Sequence, residues 1–113
     1  MKIINDTLTI KDLQDMTLKM FGTLVKAVVD IEREVIAVDA EFHADLEALL
    51  LENGAKQRNL WGINFYPKMS GDDFVEFDSM INLRPTENNM SRGVDDPQIR
   101  KRILDIVQKS VQR

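Results

Sequence analysis

The fold class that the sequence predicts is α+β, a mostly antiparallel sheet built from two β-hairpins and a short N-terminal strand, with about three helices packed mainly on one face. Two observations predict it. Short β-branched or alternating runs come in pairs joined by turn residues, and three segments with apolar residues at helical spacing separate those pairs. Helices with one apolar stripe must cover an apolar sheet face, which gives the order β-α-β-β-α-β-β-α. No repeat, low-complexity tract or linker divides the 113 residues, so one domain over 1–113 is expected.

Lys2 to Ile4 reads as a short first strand. Thr9 with Asp12 three residues later resembles a helix N-cap, and Ile10, Leu13, Met16, Met20 and Phe21 recur at helical spacing up to Gly22, a residue suited to a left-handed stop. The spacing predicts a helix from Ile10 to Phe21. Leu24–Ile31 and Val35–Asp39 are β-branched runs with Glu32-Arg33 between them. If Asp30 faces Val35, Lys26 faces Asp39 as an opposite-charge pair, and Val25, Ala27, Val29, Ile31, Ile36, Val38 and Ala40 share one face. A loop of two or four residues preserves that register, although Glu-Arg lacks the glycine or asparagine of tight hairpin turns. Phe42, Leu46, Leu49 and Leu50 mark the buried side of a second helix that stops at Asn53-Gly54. In the second hairpin Trp61, Ile63 and Phe65 alternate with Gly62, Asn64 and Tyr66. After the turn-rich stretch from Pro67 to Asp73, Val75, Phe77, Ile81 and Leu83 alternate with Glu76, Asp78, Asn82 and Arg84 up to Pro85. A polar loop from Thr86 to Asp95 precedes Asp96-Pro97, a cap and first-turn proline, and a last helix that buries Ile99, Ile103, Ile106 and Val107.

Composition bounds the chemistry. There is no cysteine, so disulfides, thiolate nucleophiles and thiolate metal sites are excluded, and a cytoplasmic setting is expected. The start lacks a signal-peptide pattern and no apolar run approaches the roughly 20 residues that span a bilayer, so no membrane partner is expected. With 15 Lys+Arg against 19 Asp+Glu, a net charge of -4 argues against broad nucleic-acid binding, although Arg84, Arg92, Arg100, Lys101 and Arg102 leave room for a confined basic groove. Six methionines and exposed hairpin edges offer surface for a homodimer.

Three constellations can carry chemistry. Asp39, Glu41, Asp45 and Glu47 surround the only histidine, His43; Asp39, Glu41 and His43 can supply an oxygen-rich divalent-cation site, or a carboxylate can orient His43 as a general base. The bland alternative is an acid-rich helix start with Asp39 paired to Lys26. On the polar side of the second hairpin lie Asn64, Tyr66, Glu76, Asp78, Asn82 and Arg84. If all helices lie on the opposite face, Lys26, Asp39 and Glu41 join them on an open, solvated face. The asparagines stand out, because asparagine is depleted in strands; Asn64 and Asn82 suggest a hydrogen-bonding task, structural or functional. The segment from Arg84 to Gly93 offers Arg84, Asn88, Ser91 and Arg92 for a carboxylate or phosphate, or pins its own loop through Asn and Ser side chains. No phosphate-binding glycine loop, dinucleotide fingerprint, paired-histidine metal motif or serine elbow occurs.

Trp61-Gly62-Ile63-Asn64-Phe65-Tyr66-Pro67, Phe77-Asp78-Ser79-Met80-Ile81-Asn82-Leu83-Arg84-Pro85 and Ser91-Arg92 together resemble a family of small prokaryotic proteins catalogued only as a domain of unknown function. The resemblance runs over nearly the whole chain, including Phe42-His43-Ala44-Asp45, and implies no activity, cofactor or partner. The leading reading is a binding or interaction module with a polar sheet face and an arginine/asparagine loop. The alternative is a small metal-assisted phosphoester hydrolase with His43, Asp39, Glu41 and Asp78 as catalytic candidates and Arg84 and Arg92 holding the anion; a divalent cation enters only under this alternative.

Overall fold

The computed structural model describes residues 1–20 and 22–112. Its main sheet has five strands in the order β1-β4-β3-β5-β6: β1 Lys2–Ile4, β3 Val25–Asp30, β4 Val35–Val38, β5 Leu60–Phe65 and β6 Val75–Glu76, every neighbouring pair antiparallel. The helices are α1 Ile10–Lys19, α2 His43–Glu52 and α3 Pro97–Ser110. Two short strands that alternation does not reveal, β2 Leu8–Thr9 and β7 Val111–Gln112, pair in parallel beside the main sheet. Set aside, they leave the expected element order and an α+β fold.

Local chemistry explains the boundaries. Thr9 and Asp12 form a reciprocal capping box at the start of α1. Phe21, expected at the end of this helix, lies outside the described residues, and Gly22 follows at φ 78°, where a side chain would be strained. The first hairpin has the expected register, with Asp30 opposite Val35 and a four-residue loop between them. Asp30 does the work of the missing turn glycine: its Oδ1 accepts from the backbone N–H groups of Glu32 and Arg33, and Glu34 takes the left-handed conformation at φ 57°.

Helices lie on both faces. Leu13 and Met16 of α1 and Ile103, Ile106 and Val107 of α3 pack with Val25, Ala27, Val29, Ile36, Val38, Trp61, Ile63 and Phe65. The other face carries Val28, Ala37 and Leu60, and α2 covers it with Leu46 and Leu50, both 0% exposed. Each such leucine contributes about 1.5–3 kcal/mol on burial. The expected sharing of faces holds through Val38, then changes: Asp39 turns left-handed at φ 74°, so Ala40 packs on the α2 side and not with Val38. Phe42, read as part of the buried stripe of α2, occupies the N-cap position and is 60% exposed.

The last strand departs most from expectation. Val75 and Glu76 pair with Phe65 and Asn64, but Ser79 Oγ then accepts from the Ile81 N–H and the chain winds into a 3-10 turn at Met80–Asn82. Side chains replace the strand along the rest of β5. The Asn82 amide accepts from the Gly62 N–H at 2.8 Å and donates to the Gly62 carbonyl at 2.9 Å, as a neighbouring peptide group would. Arg84 continues the edge by donating to the Leu60 carbonyl.

Candidate functional site

Because β6 is short and α2 covers only part of its sheet face, a cleft of about 480 Å³ opens between the start of α2 and the outer end of the sheet. Phe42, His43 and Ala44 form one wall, Asn64 of β5, Tyr66 just beyond its end and Glu76 of β6 form the floor, and Asp78 to Ile81 with Arg92 close the far side. Lys26 also lines it, its ammonium 5.6 Å from the centre of the Phe42 ring. Phe42 and Met80, the latter 62% exposed, give the cleft an apolar rim.

Asn64 is the centre of the polar floor. It is 5% exposed, and its Nδ2 donates to Glu76 Oε1 at 2.8 Å and to the Asp78 carbonyl at 3.2 Å. Two acceptors on that side fix the orientation of the amide, since a flipped group would set oxygen against oxygen. Tyr66 donates its hydroxyl to the same Glu76 Oε1 at 3.0 Å, and Arg92 Nε donates to Asp78 Oδ1 at 2.8 Å. Burial, the bond to Glu76 and the charges of Glu76 and Asp78 push the Tyr66 pKa up from 10.0, so the phenol stays a donor. Asn64 Oδ1 is buried without a hydrogen-bond partner.

His43 stands beside it. Its Nε2 lies 2.8 Å from the Ile63 carbonyl, and because a carbonyl only accepts, that nitrogen carries the proton. Burial is the largest influence on the ring and pushes its pKa below the ordinary 6.5; the Ile63 carbonyl opposes this, Lys26 reinforces it, and the Asp78 charge and Asn64 oppose it further. The interaction with Asn64 is a side-chain hydrogen bond that favours the charged ring, so the two side chains lie within reach of each other.

Of the candidate residues, the fold therefore brings His43, Asn64, Asp78 and Arg92 to one cleft. Asp39 and Glu41 are not among its lining residues; Asp39 pairs with Lys19 at 3.3 Å and Glu41 is exposed. No group of three or more His, Asp or Glu side chains able to hold a metal ion occurs among the described residues. Arg84 is 6% exposed, lies 4.1 Å over the Trp61 ring, and donates to the carbonyls of Ile81, Gln57 and Leu60. Asn82 is spent on Gly62 and on the Arg92 carbonyl. Ser91 donates to Asp95, and Asn88 sits exposed and left-handed at φ 63°. The loop is tied down by Asn89, whose Nδ2 donates to the carbonyls of Asn82, Ser91 and Gly93. Sequence reasoning singled out neither Phe42 nor Met80 as a rim. The usable signal was positional for Phe42, which directly precedes the first helical residue.

A family described as "Protein of unknown function (DUF5674)" matches residues 2–110. The chain belongs to this family. No curated protein and no solved structure matches it. The family description carries no activity to the cleft, whose chemistry is read from its own residues. No helix among the described residues is long and apolar enough to cross a membrane.

Proposed function

We propose that the chain is a binding module whose site is the cleft between α2 and the β5–β6 edge. One observation carries this reading: a cleft of about 480 Å³ gathers His43, Asn64, Tyr66, Glu76, Asp78 and Arg92 between the start of α2 and the edge of the sheet. The surroundings support the reading, since a concave site with an apolar rim and a few convergent polar groups is the usual form of a small-ligand site. The phosphoester hydrolase gains no comparable support, because Asp39 and Glu41 do not line the cleft with His43.

The test is amide-shift mapping with a panel of small organic probes: n-butanol, acetamide, n-pentylamine and hexanoate. Binding at millimolar concentration should move amides of residues 42–44, 64–66 and 76–81 together. Shifts scattered over the surface, or none with any probe, would overturn the proposal.

A further inference from the structure

α2 ends on Asn53 and Gly54, and the geometry that stops the helix also bares a reactive peptide bond. Gly54 stands at φ 95°, and the N–H groups of Gly54 and Ala55 donate to the carbonyls of Leu51 and Leu50 at 3.1 and 3.0 Å. This pair of bonds is the Schellman stop, whose left-handed position favours glycine because a side chain there would be strained. Asn53 occupies the C-cap, exposed, with its Nδ2 donating to the Leu49 carbonyl at 2.8 Å. Arg33, in the loop of the first hairpin, donates to the Asn53 carbonyl. The stop thus sets an asparagine amide directly before a peptide nitrogen that no side chain shields. Asn53 alone among the asparagines precedes glycine; Asp, Leu, Phe, Asn or Met follows the others, and Asn64, Asn82 and Asn89 are buried with their amides bonded.

We propose that Asn53 is a modification site, deamidated from within the chain when the last turn of α2 opens. The Gly54 nitrogen gives its proton to solvent base and attacks Asn53 Cγ, the Cγ–Nδ2 bond breaks, ammonia leaves, and a five-membered succinimide closes. Water, the only co-reactant, then opens the ring. Cleavage between Cγ and the Gly54 nitrogen leaves aspartate; cleavage at the backbone carbonyl leaves isoaspartate, with the main chain rerouted through Cβ and Cγ. In the closed turn the Gly54 N–H is engaged by Leu51 and the Asn53 amide by Leu49, so the reaction waits on local opening, which at an exposed helix end costs far less than global unfolding. Either product damages the stop. Aspartate cannot donate to the Leu49 carbonyl, and it places a negative charge at the negative end of the helix dipole. Isoaspartate adds one carbon to the main chain ahead of the Gly54 N–H, which puts both Schellman bonds out of register.

Peptide mapping by mass spectrometry of the full chain reads the change, because replacing an amide by an acid adds mass and isoaspartate is recognised by enzymatic methylation. Warm incubation at pH 9 should modify Asn53 ahead of every other asparagine, and several-fold more slowly at pH 7, since the attacking nitrogen must lose its proton. The chain unfolded in urea should react several-fold faster than the folded chain, because the closed turn is absent there. Arg33→Gln, at an exposed position, removes the donor on the Asn53 carbonyl and should speed the reaction of the folded chain. Asn53→Gln, whose longer side chain would have to close a six-membered ring, should stay unmodified, and Asn53→Asp should lower the urea midpoint as incubation of the unaltered chain does. A folded chain still intact at Asn53 once the unfolded chain is fully converted, or another asparagine that reacts first, overturns the proposal. Equal rates in the folded and unfolded chains would overturn the dependence on the turn of α2.

Discussion

A side chain on Gly62 would meet Ser79 Cβ at 2.5 Å, Ser79 Oγ at 2.7 Å and Ile81 Cγ1 at 3.2 Å. The glycine is needed for this approach, because the turn at Met80–Asn82 must come close enough for Asn82 to bond the Gly62 peptide groups. Gly62→Ala should therefore destabilise the protein by about 1–3 kcal/mol, as overpacking does, in a urea titration. Ser79→Gly in the same chain removes the two shortest contacts and should recover part of the loss; an unchanged midpoint for Gly62→Ala alone would refute the close packing. Asn82→Leu tests the same junction from the other side. It leaves the buried N–H and carbonyl of Gly62 unpaired, at about 1–3 kcal/mol each. Asn82→Asp should rescue little at neutral pH, since its second oxygen then faces the Gly62 and Arg92 carbonyls; a midpoint near that of the unaltered chain would show that the Asn82 amide is dispensable.

Whole elements rest on shorter-range signals. Asp96 Oδ1 accepts from the Gln98 N–H at 2.8 Å and Pro97 opens α3, so Asp96→Ala should cost about 1 kcal/mol, measured as a lower thermal midpoint. A midpoint unchanged within error would mean that water caps the helix equally well. This cap, the Thr9–Asp12 box and the Asp30–Val35 register were all legible in the sequence because each involves residues within five positions of one another. The end of β6 was not. Val75, Phe77, Ile81 and Leu83 alternate as a strand would, and only the Asn82–Gly62 contact, 20 residues apart, shows that side chains take over from backbone pairing. The side on which α2 packs was equally hidden. Val28 and Ala37 make the second sheet face apolar too, so Leu46 and Leu50 announce a buried stripe without saying what it meets. Among site residues, Asn64 was legible as an asparagine in a strand, Asp78 as part of an alternating polar face, His43 as the one histidine in an acidic cluster and Arg92 as a loop arginine, but their meeting depends on where α2 crosses the sheet. Arg84 has the residue chemistry of an anion site, and it is long-range packing on Trp61 that commits its donors to carbonyls.

At the scale of the whole molecule, the sheet carries helices on both faces, and the one histidine is buried at the start of the helix that also frames the cleft. His43 makes stability depend on pH in a definite direction. Its pKa in the folded chain lies below the ordinary 6.5, so between the two values the unfolded chain binds more protons. The stabilisation by neutral His43 is complete above pH 6.5 and declines as pH falls through 6.5 toward the folded value. One group changes stability by no more than about 1.4 kcal/mol per pH unit. The carboxyls of Asp12 and Asp95 lie lower than the usual 3.8, held down mainly by the Thr9 backbone N–H and by the Ser91 hydroxyl respectively, so their contribution is lost only in stronger acid. A comparison of urea midpoints at pH 7 and pH 5 thus isolates His43 from them. The unaltered chain should lose stability over that interval, and His43→Gln, whose amide can still donate to the Ile63 carbonyl, should lose less. Equal losses in both proteins would assign the effect elsewhere.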